Sequence, residues 1–165
     1  MFPDHIRDLA AALLAEYEQA GRMVAAAESC TGGLIAGAIT EIPGSSQVFE
    51  RGFVTYSNLA KSEMLGVPPS LLVAHGAVSA EVAVAMAVGA LAKSKADVAV
   101  AVTGVAGPGG GSEAKPVGRV YIATAVRDGP AKAREYTFSG DRDAVRMQMV
   151  ECALERLRAA RPMER

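Results

Sequence analysis

Ala27-Glu28-Ser29-Cys30-Thr31-Gly32-Gly33 is the stretch from which the rest of the chain is read. It follows an apolar run, Met23 to Ala27, and precedes Leu34-Ile35-Ala36-Gly37-Ala38-Ile39, whose apolar positions fit a helix better than a strand. The polar residues therefore form a strand-to-helix turn. Such a turn presents unpaired backbone N–H groups and the positive end of a helix dipole, so negative charge developing there is stabilised. A hydroxyl at Ser29 would have oxyanion donors, the amides around Cys30, Thr31, Gly32 and Gly33, within a few residues, as acyl transfer requires. Gly32 and Gly33 also let the backbone approach a ligand closely. The plainer alternative is that Ser29 and Thr31 only cap the helix.

Elements are expected on both sides of this turn. Upstream, Ile6, Leu9, Leu13, Leu14 and Tyr17 recur at helical spacing, with Asp4 as N-cap and Gly21 as the stop. Downstream, Pro43 to Ser46 breaks the chain, Phe49 to Tyr56 alternates as a strand, and Asn58 to Leu65 is a short helix capped by Asn58. Leu71 to Val78 fits either helix or loop. A long helix starts at the cap Ser79, with Val82, Met86, Ala90 and Leu91 on one stripe. Asp97 to Val102 has the β-branched character of a buried strand, and Thr103 to Gly118, with six glycines and two prolines, is a loop. Two strands, Gly118 to Val126 and Lys132 to Phe138, meet at Asp128-Gly129-Pro130, and Asp141 caps a last helix running to about residue 160. Helices separated by strands, with an antiparallel pair near the end, predict a three-layer α/β/α sandwich with a mixed sheet in one compact domain over residues 1–165.

Composition narrows the class. The 165 residues suffice for a core without disulfides or metals, and half are hydrophobic, the excess being alanine and valine, which suggests close helix-on-sheet packing. A net charge of −1 gives no field that would attract nucleic acid or a membrane surface. Cys30 and Cys152 form no CxxC pattern and suit free thiols in a reducing compartment, although their spacing allows one bridge. The N-terminal residues have neither the basic region nor the cleavage site of a signal peptide, so a cytoplasmic protein is expected. Val82 to Ala92 is too short to span a bilayer, and its small-residue face offers a surface for homo-oligomer packing.

Three further polar clusters accompany Ser29. Tyr56-Ser57-Asn58 with Lys61 lies at a strand-to-helix junction, and Leu59, Ala60, Met64 and Leu65 around Lys61 suggest partial burial. A desolvated lysine loses pKa and can act as general base toward a serine hydroxyl, with Tyr56 relaying the proton or holding the amine; the bland reading is a solvated lysine. Thr103-Gly104 and the loop holding Gly107, Gly109, Gly110 and Ser112 follow a buried strand, the position at which α/β sheets bind ligands, yet the loop fits neither the P-loop nor the dinucleotide fingerprint. Arg142 and Arg146, four apart near a helix N-terminus, call for an anion, either Asp141 and Asp143 or a phosphate. His5 and His75 have no companions at ligand spacing, so no metal is expected. Cys30 reads as a buried structural thiol because no histidine is positioned to pair with it.

AESCTGG, TYSNLAK, VTGVAGPGGGSEAKPVG with the strand VYIA, and FSGDRDAVR, in this order, resemble the CinA C-terminal domain family. Its members include stand-alone nicotinamide-nucleotide amidohydrolases and domains fused to a second domain in competence-damage-inducible proteins. The resemblance implies hydrolysis of the carboxamide of nicotinamide mononucleotide to nicotinate mononucleotide and ammonia, with Ser29 as nucleophile, Lys61 as base and Tyr56 assisting, and no cofactor. The absence of the fused forms' extra domain favours a stand-alone enzyme. The oxyanion is expected at the amides of Cys30 to Gly33 or at the Thr103-Gly104 turn, with Asn58 also binding substrate, and phosphate near Gly107, Gly109, Gly110, Ser112, Arg142 and Arg146. The rival expectation is a non-catalytic nucleotide-binding or regulatory module, which would use the glycine loop and arginines without Ser29 or Lys61.

Overall fold

The structure, a computed structural model, describes residues 1–160. Its elements in chain order are α1 (Asp4–Gln19), β1 (Val24–Glu28), α2 (Leu34–Thr40), β2 (Phe49–Val54), α3 (Asn58–Leu65), α4 (Pro69–His75), α5 (Ala80–Ala92), β3 (Val98–Gly104), β4 (Arg119–Val126), β5 (Ala131–Thr137) and α6 (Arg142–Ala159). The five strands form one mixed sheet in the order β2-β1-β3-β4-β5. β1 runs parallel to both β2 and β3, whereas β4 is antiparallel to β3 and β5. With helices on both faces, this is the expected three-layer arrangement.

Strand alternation assigns the two faces. Val24 and Ala26 of β1 and Val98, Val100 and Val102 of β3 pack under α1, α2 and α6, against Ile6, Leu13, Ile35, Met149 and Leu154. Ala25, Ala27, Ala99 and Ala101 point to the opposite face, where with Ala123 and Ala125 they receive α5 and α3. The branched residues fill one layer, and the alanines let α5 sit close to the sheet. A Cβ at Gly89 of α5 would collide with the carbonyl oxygen of Leu65 in α3, so these two helices meet backbone to backbone. Val82, Ala83, Met86, Ala87, Ala90 and Leu91 are buried in this packing. The face of α5 expected to meet another copy is therefore spent inside the fold.

Several local expectations shift. Asp4 does not cap α1; Pro3 is the preceding extended residue, and Asp4 is already helical, paired instead with Arg7 at 3.6 Å. The cap of α3 is Ser57 rather than Asn58, because Ser57 is extended and its Oγ accepts the Ala60 N–H at 3.0 Å. Thr103 and Gly104 continue β3 and pair with Tyr121 and Val120, where a Cβ on Gly104 would lie 2.8 Å from the Arg119 carbonyl oxygen. Most of the ambiguous stretch from Leu71 belongs to α4, which has Pro69 in its first turn. Ser79 and Asp141 cap as expected, accepting from the N–H of Val82 at 3.2 Å and of Ala144 at 2.9 Å. Gly21 ends α1 at φ +61°, and Cys30 and Cys152 are both free thiols.

Candidate active site

The carboxyl ends of the three parallel strands carry the site. The Thr55 N–H donates to the Glu28 carbonyl at 2.8 Å and the Ser29 N–H to the Val102 carbonyl at 3.2 Å, so the ladder continues one step past β1. Ser29 follows Ala25 and Ala27 in alternation and faces α3, whereas Glu28 faces the α2 side. β2 feeds almost directly into α3, so Lys61, one turn along, reaches back over the strand ends. Its Nζ lies 3.0 Å from Ser29 Oγ, 2.9 Å from the Thr55 carbonyl oxygen and 3.4 Å from that of Tyr56.

Lys61 is 1% exposed. Its flanking residues do not cause this, since Leu59 and Met64 are themselves exposed; Lys61 is buried because it points at the strand ends. Burial pushes its pKa below the usual lysine value, and no carboxylate among the described residues contacts the amine. In the uncharged amine, two N–H bonds satisfy the Thr55 and Tyr56 carbonyls, which leaves the lone pair for the proton of Ser29. The same geometry thus accommodates both the ammonium and a base.

The turn after Ser29 is held from two sides. Glu28, also 1% exposed, accepts the N–H groups of Gly33 and Ile35 through Oε2, both at 3.0 Å, and that of Ala36 through Oε1 at 2.9 Å. Neither Ser29 nor Thr31 caps α2: the cap position is Gly33 at φ +100°, and the positive helix end already faces the Glu28 carboxylate. Nothing in the local pattern marks Glu28 for this role, because a capping side chain ordinarily sits at the helix start and not on the preceding strand. On the other side Arg146 donates from Nε to the Cys30 carbonyl and from Nη2 to the Thr31 carbonyl, each at 3.1 Å.

These contacts orient the turn's peptide planes. In a trans peptide the N–H points away from the carbonyl. The Ser29 carbonyl accepts the Gly32 N–H at 3.0 Å, and the Cys30 carbonyl faces Arg146, so the N–H groups of Cys30 and Thr31 are directed to the opposite edges of those planes. The Thr31 N–H meets no acceptor among the described residues, and the Cys30 N–H meets only its own thiol sulfur. They lie one and two residues after Ser29, and neither donates to another residue among the described ones. The Cys30 side chain points away into the core, 3.7 Å from Met149 Sδ, and burial pushes its thiol up to about 11. Thr31 is fully buried and its Oγ1 has no partner among the described residues, while Thr103 donates its hydroxyl to the Ala77 carbonyl at 2.8 Å.

The mouth of the site is built by Tyr56, Arg142 and the glycine-rich loop. The Tyr56 side chain is exposed, and its phenol accepts from Arg142 Nη2 at 3.0 Å; only its carbonyl reaches Lys61. Arg142 Nη1 donates to the Gly107 carbonyl at 2.7 Å, bridging the loop to Tyr56. Gly107 needs its glycine, since φ is +83° and a Cβ would lie 2.6 Å from Val117. Gly109 and Gly110 are exposed at the tip, and Ser112 knits the loop's own turn, its N–H donating to the Lys115 carbonyl at 2.9 Å and its Oγ accepting the Lys115 N–H at 3.1 Å. Asn58 is exposed at the start of α3. The two arginines, neighbours on α6, thus serve different segments, and neither pairs with a carboxylate among the described residues. Asp141 is occupied by its own helix cap. No cluster of three or more His, Cys, Asp or Glu suited to a metal occurs among the described residues.

Comparison with known proteins adds a lineage to this geometry. The family model of the CinA C-terminal domain matches residues 6–160. The chain is 57% identical over 137 residues to the nicotinamide-nucleotide amidohydrolase PncC of Escherichia coli, covering 83% of each chain. It is 52% identical over 155 residues to a CinA-like protein of Geobacter sulfurreducens, covering 94% of this chain but 37% of that longer one. The crystal structure of the competence/damage inducible protein CihA from Agrobacterium tumefaciens superposes with a TM-score of 0.95 at 52% identity, over 96% of this chain and 97% of that one.

Proposed function

The chain belongs to the CinA C-terminal domain family, and on that premise we propose that it is an amidohydrolase that converts nicotinamide mononucleotide to nicotinate mononucleotide and ammonia, with Ser29 as nucleophile and Lys61 as its base. The names of relatives at 51–57% identity support the reaction. One observation carries the mechanism: the buried, unpaired Lys61 amine lies 3.0 Å from Ser29 Oγ.

Neutral Lys61 takes the proton of Ser29 as Oγ attacks the carboxamide carbon, and the carbonyl oxygen becomes an oxyanion received by the amides of Cys30 and Thr31. Lys61, now an ammonium, returns the proton to the departing nitrogen, which leaves as ammonia. Water then attacks the acyl-enzyme as Lys61 accepts its proton, Lys61 passes that proton to Ser29 Oγ as the acyl C–O bond breaks, and the acid product leaves as a carboxylate after losing its proton to solvent. Tyr56 lends its carbonyl to the amine and, with Arg142, borders the substrate at the mouth. Arg142 and the amides of Gly107, Gly109 and Gly110 supply donors for the phosphate, with Ser112 at the loop's far end. The free thiols of Cys30 and Cys152 suit the cytoplasm, and a homo-oligomer would have to form through a surface other than the buried face of α5. No helix among the described residues is long and apolar enough to cross a membrane.

Ammonia release from nicotinamide mononucleotide tests the reading. Turnover by the unaltered chain that vanishes in both Ser29→Ala and Lys61→Ala is the expected result. Binding without ammonia release would instead make the chain a nucleotide-binding module.

A further inference from the structure

Glu28, the last residue of β1, has three side-chain hydrogen bonds to the start of α2. Its carboxylate is buried, makes no ion pair among the described residues, and is held by three backbone amides of one turn. A capping residue ordinarily sits at the helix start and serves an amide two or three positions on. Glu28 is instead a strand residue whose side chain crosses five to eight positions ahead, to Gly33, Ile35 and Ala36. It therefore closes residues 29–33 into a loop whose two ends are the strand and the helix. Its own carbonyl is pinned to Thr55, the residue whose carbonyl accepts from Lys61. One residue thus ties together the strand end, the turn and the segment carrying the amine's acceptor.

Resting on the amidohydrolase reading above, we propose that Glu28 is a positioning residue. By taking the amides of Gly33, Ile35 and Ala36 it fixes the turn in which the Cys30 and Thr31 amides donate to no other residue and holds them relative to Ser29 Oγ, so its effect falls on the tetrahedral intermediate rather than on substrate binding. The facing brace, Arg146 on the carbonyls of Cys30 and Thr31, fixes the same peptide planes from behind. A misplacement of about 1 Å in such a site costs on the order of 100-fold in rate. An interaction made only in the transition state lowers kcat without raising KM.

The test compares wild type with Glu28→Gln, which keeps the length and one acceptor oxygen, and Glu28→Ala, which removes all three contacts. Folding is followed by near-ultraviolet circular dichroism and activity by ammonia release. We expect kcat to fall in the order Glu, Gln, Ala, by about 10- to 100-fold for the alanine variant, with KM within about threefold and the pH at which the rate levels off unmoved, because Lys61 keeps its surroundings. A folded Glu28→Ala chain with wild-type kcat, a loss confined to KM, or a Glu28→Gln chain that fails to fold each overturns the proposal; the last makes the carboxylate a folding element only. If wild type itself releases no ammonia, the amidohydrolase reading fails instead, and the two failures stay separate. In that case the proposal about the turn is read from labelling of Ser29 by a serine-directed fluorophosphonate, which Glu28→Ala should slow and an indifferent Glu28 would not.

Discussion

Lys61 exchanges solvation for position. Two carbonyls and one hydroxyl replace water around its amine, and the cost of burying the charged form moves its pKa downward. As the base, it must be neutral, so kcat/KM should rise with pH and level off above the lowered value, earlier than an exposed lysine would allow. Stability carries the same sign. Between the lowered folded value and the ordinary unfolded one the unfolded chain holds more protons, so stability rises with pH across that window, and the penalty is complete below the folded value. Lys61→Met removes this titration. The stability of wild type relative to Lys61→Met should therefore improve as the pH rises toward the ordinary lysine value of about 10.4, as measured by urea unfolding; a pH-independent difference would show an unshifted lysine.

Among the elements, the contact of α3 with α5 holds the amine in place. Gly89 abuts the Leu65 carbonyl, and Leu65 lies four residues after Lys61 on α3. Alanine at position 89 would gain up to about 1 kcal/mol of helix propensity. It would also force two backbones apart, an overpacking cost of about 1–3 kcal/mol. Gly89→Ala should lower stability on balance and, by lifting α3 from the strand ends, reduce kcat more than it alters KM. Chemical denaturation and steady-state ammonia release measure the two effects; a stabilised, fully active variant would mean that α3 is placed by other contacts.

Across the whole molecule, the site joins both helical layers to the sheet. Lys61 comes from the α3–α5 side, Glu28 and Arg146 from the α2–α6 side, and Arg142 reaches across to the glycine-rich loop. A ligand spanning them should stabilise the fold as a unit. Nicotinate mononucleotide at about 100 times its Kd is expected to add about 2.7 kcal/mol, or roughly 5–10 °C in Tm for a chain of this size. Arg142→Ala should weaken the shift while leaving the unliganded Tm nearly unchanged. An equal shift in that variant would move the phosphate away from Arg142.

Much of this was local and could be read along the chain. The alternation Val98-Ala99-Val100-Ala101-Val102 announces a buried strand with two different faces, and the caps Ser79 and Asp141 lie where their helices begin. Ser29 in a glycine-containing turn and a lysine one turn into the helix after β2 are likewise visible as candidates. The rest depended on residues far apart in sequence. Arg142 and Arg146 look alike on one helix face, yet one contacts Gly107 and the other Cys30, 116 positions away. Periodicity and turn chemistry act over a few residues, so the sequence by itself determined the elements, the layered class and the residue types available for chemistry. Strand order, the meeting of Ser29 with Lys61 and the capture of α2 by Glu28 are set by register and packing between distant segments, so they emerge once the chain is folded.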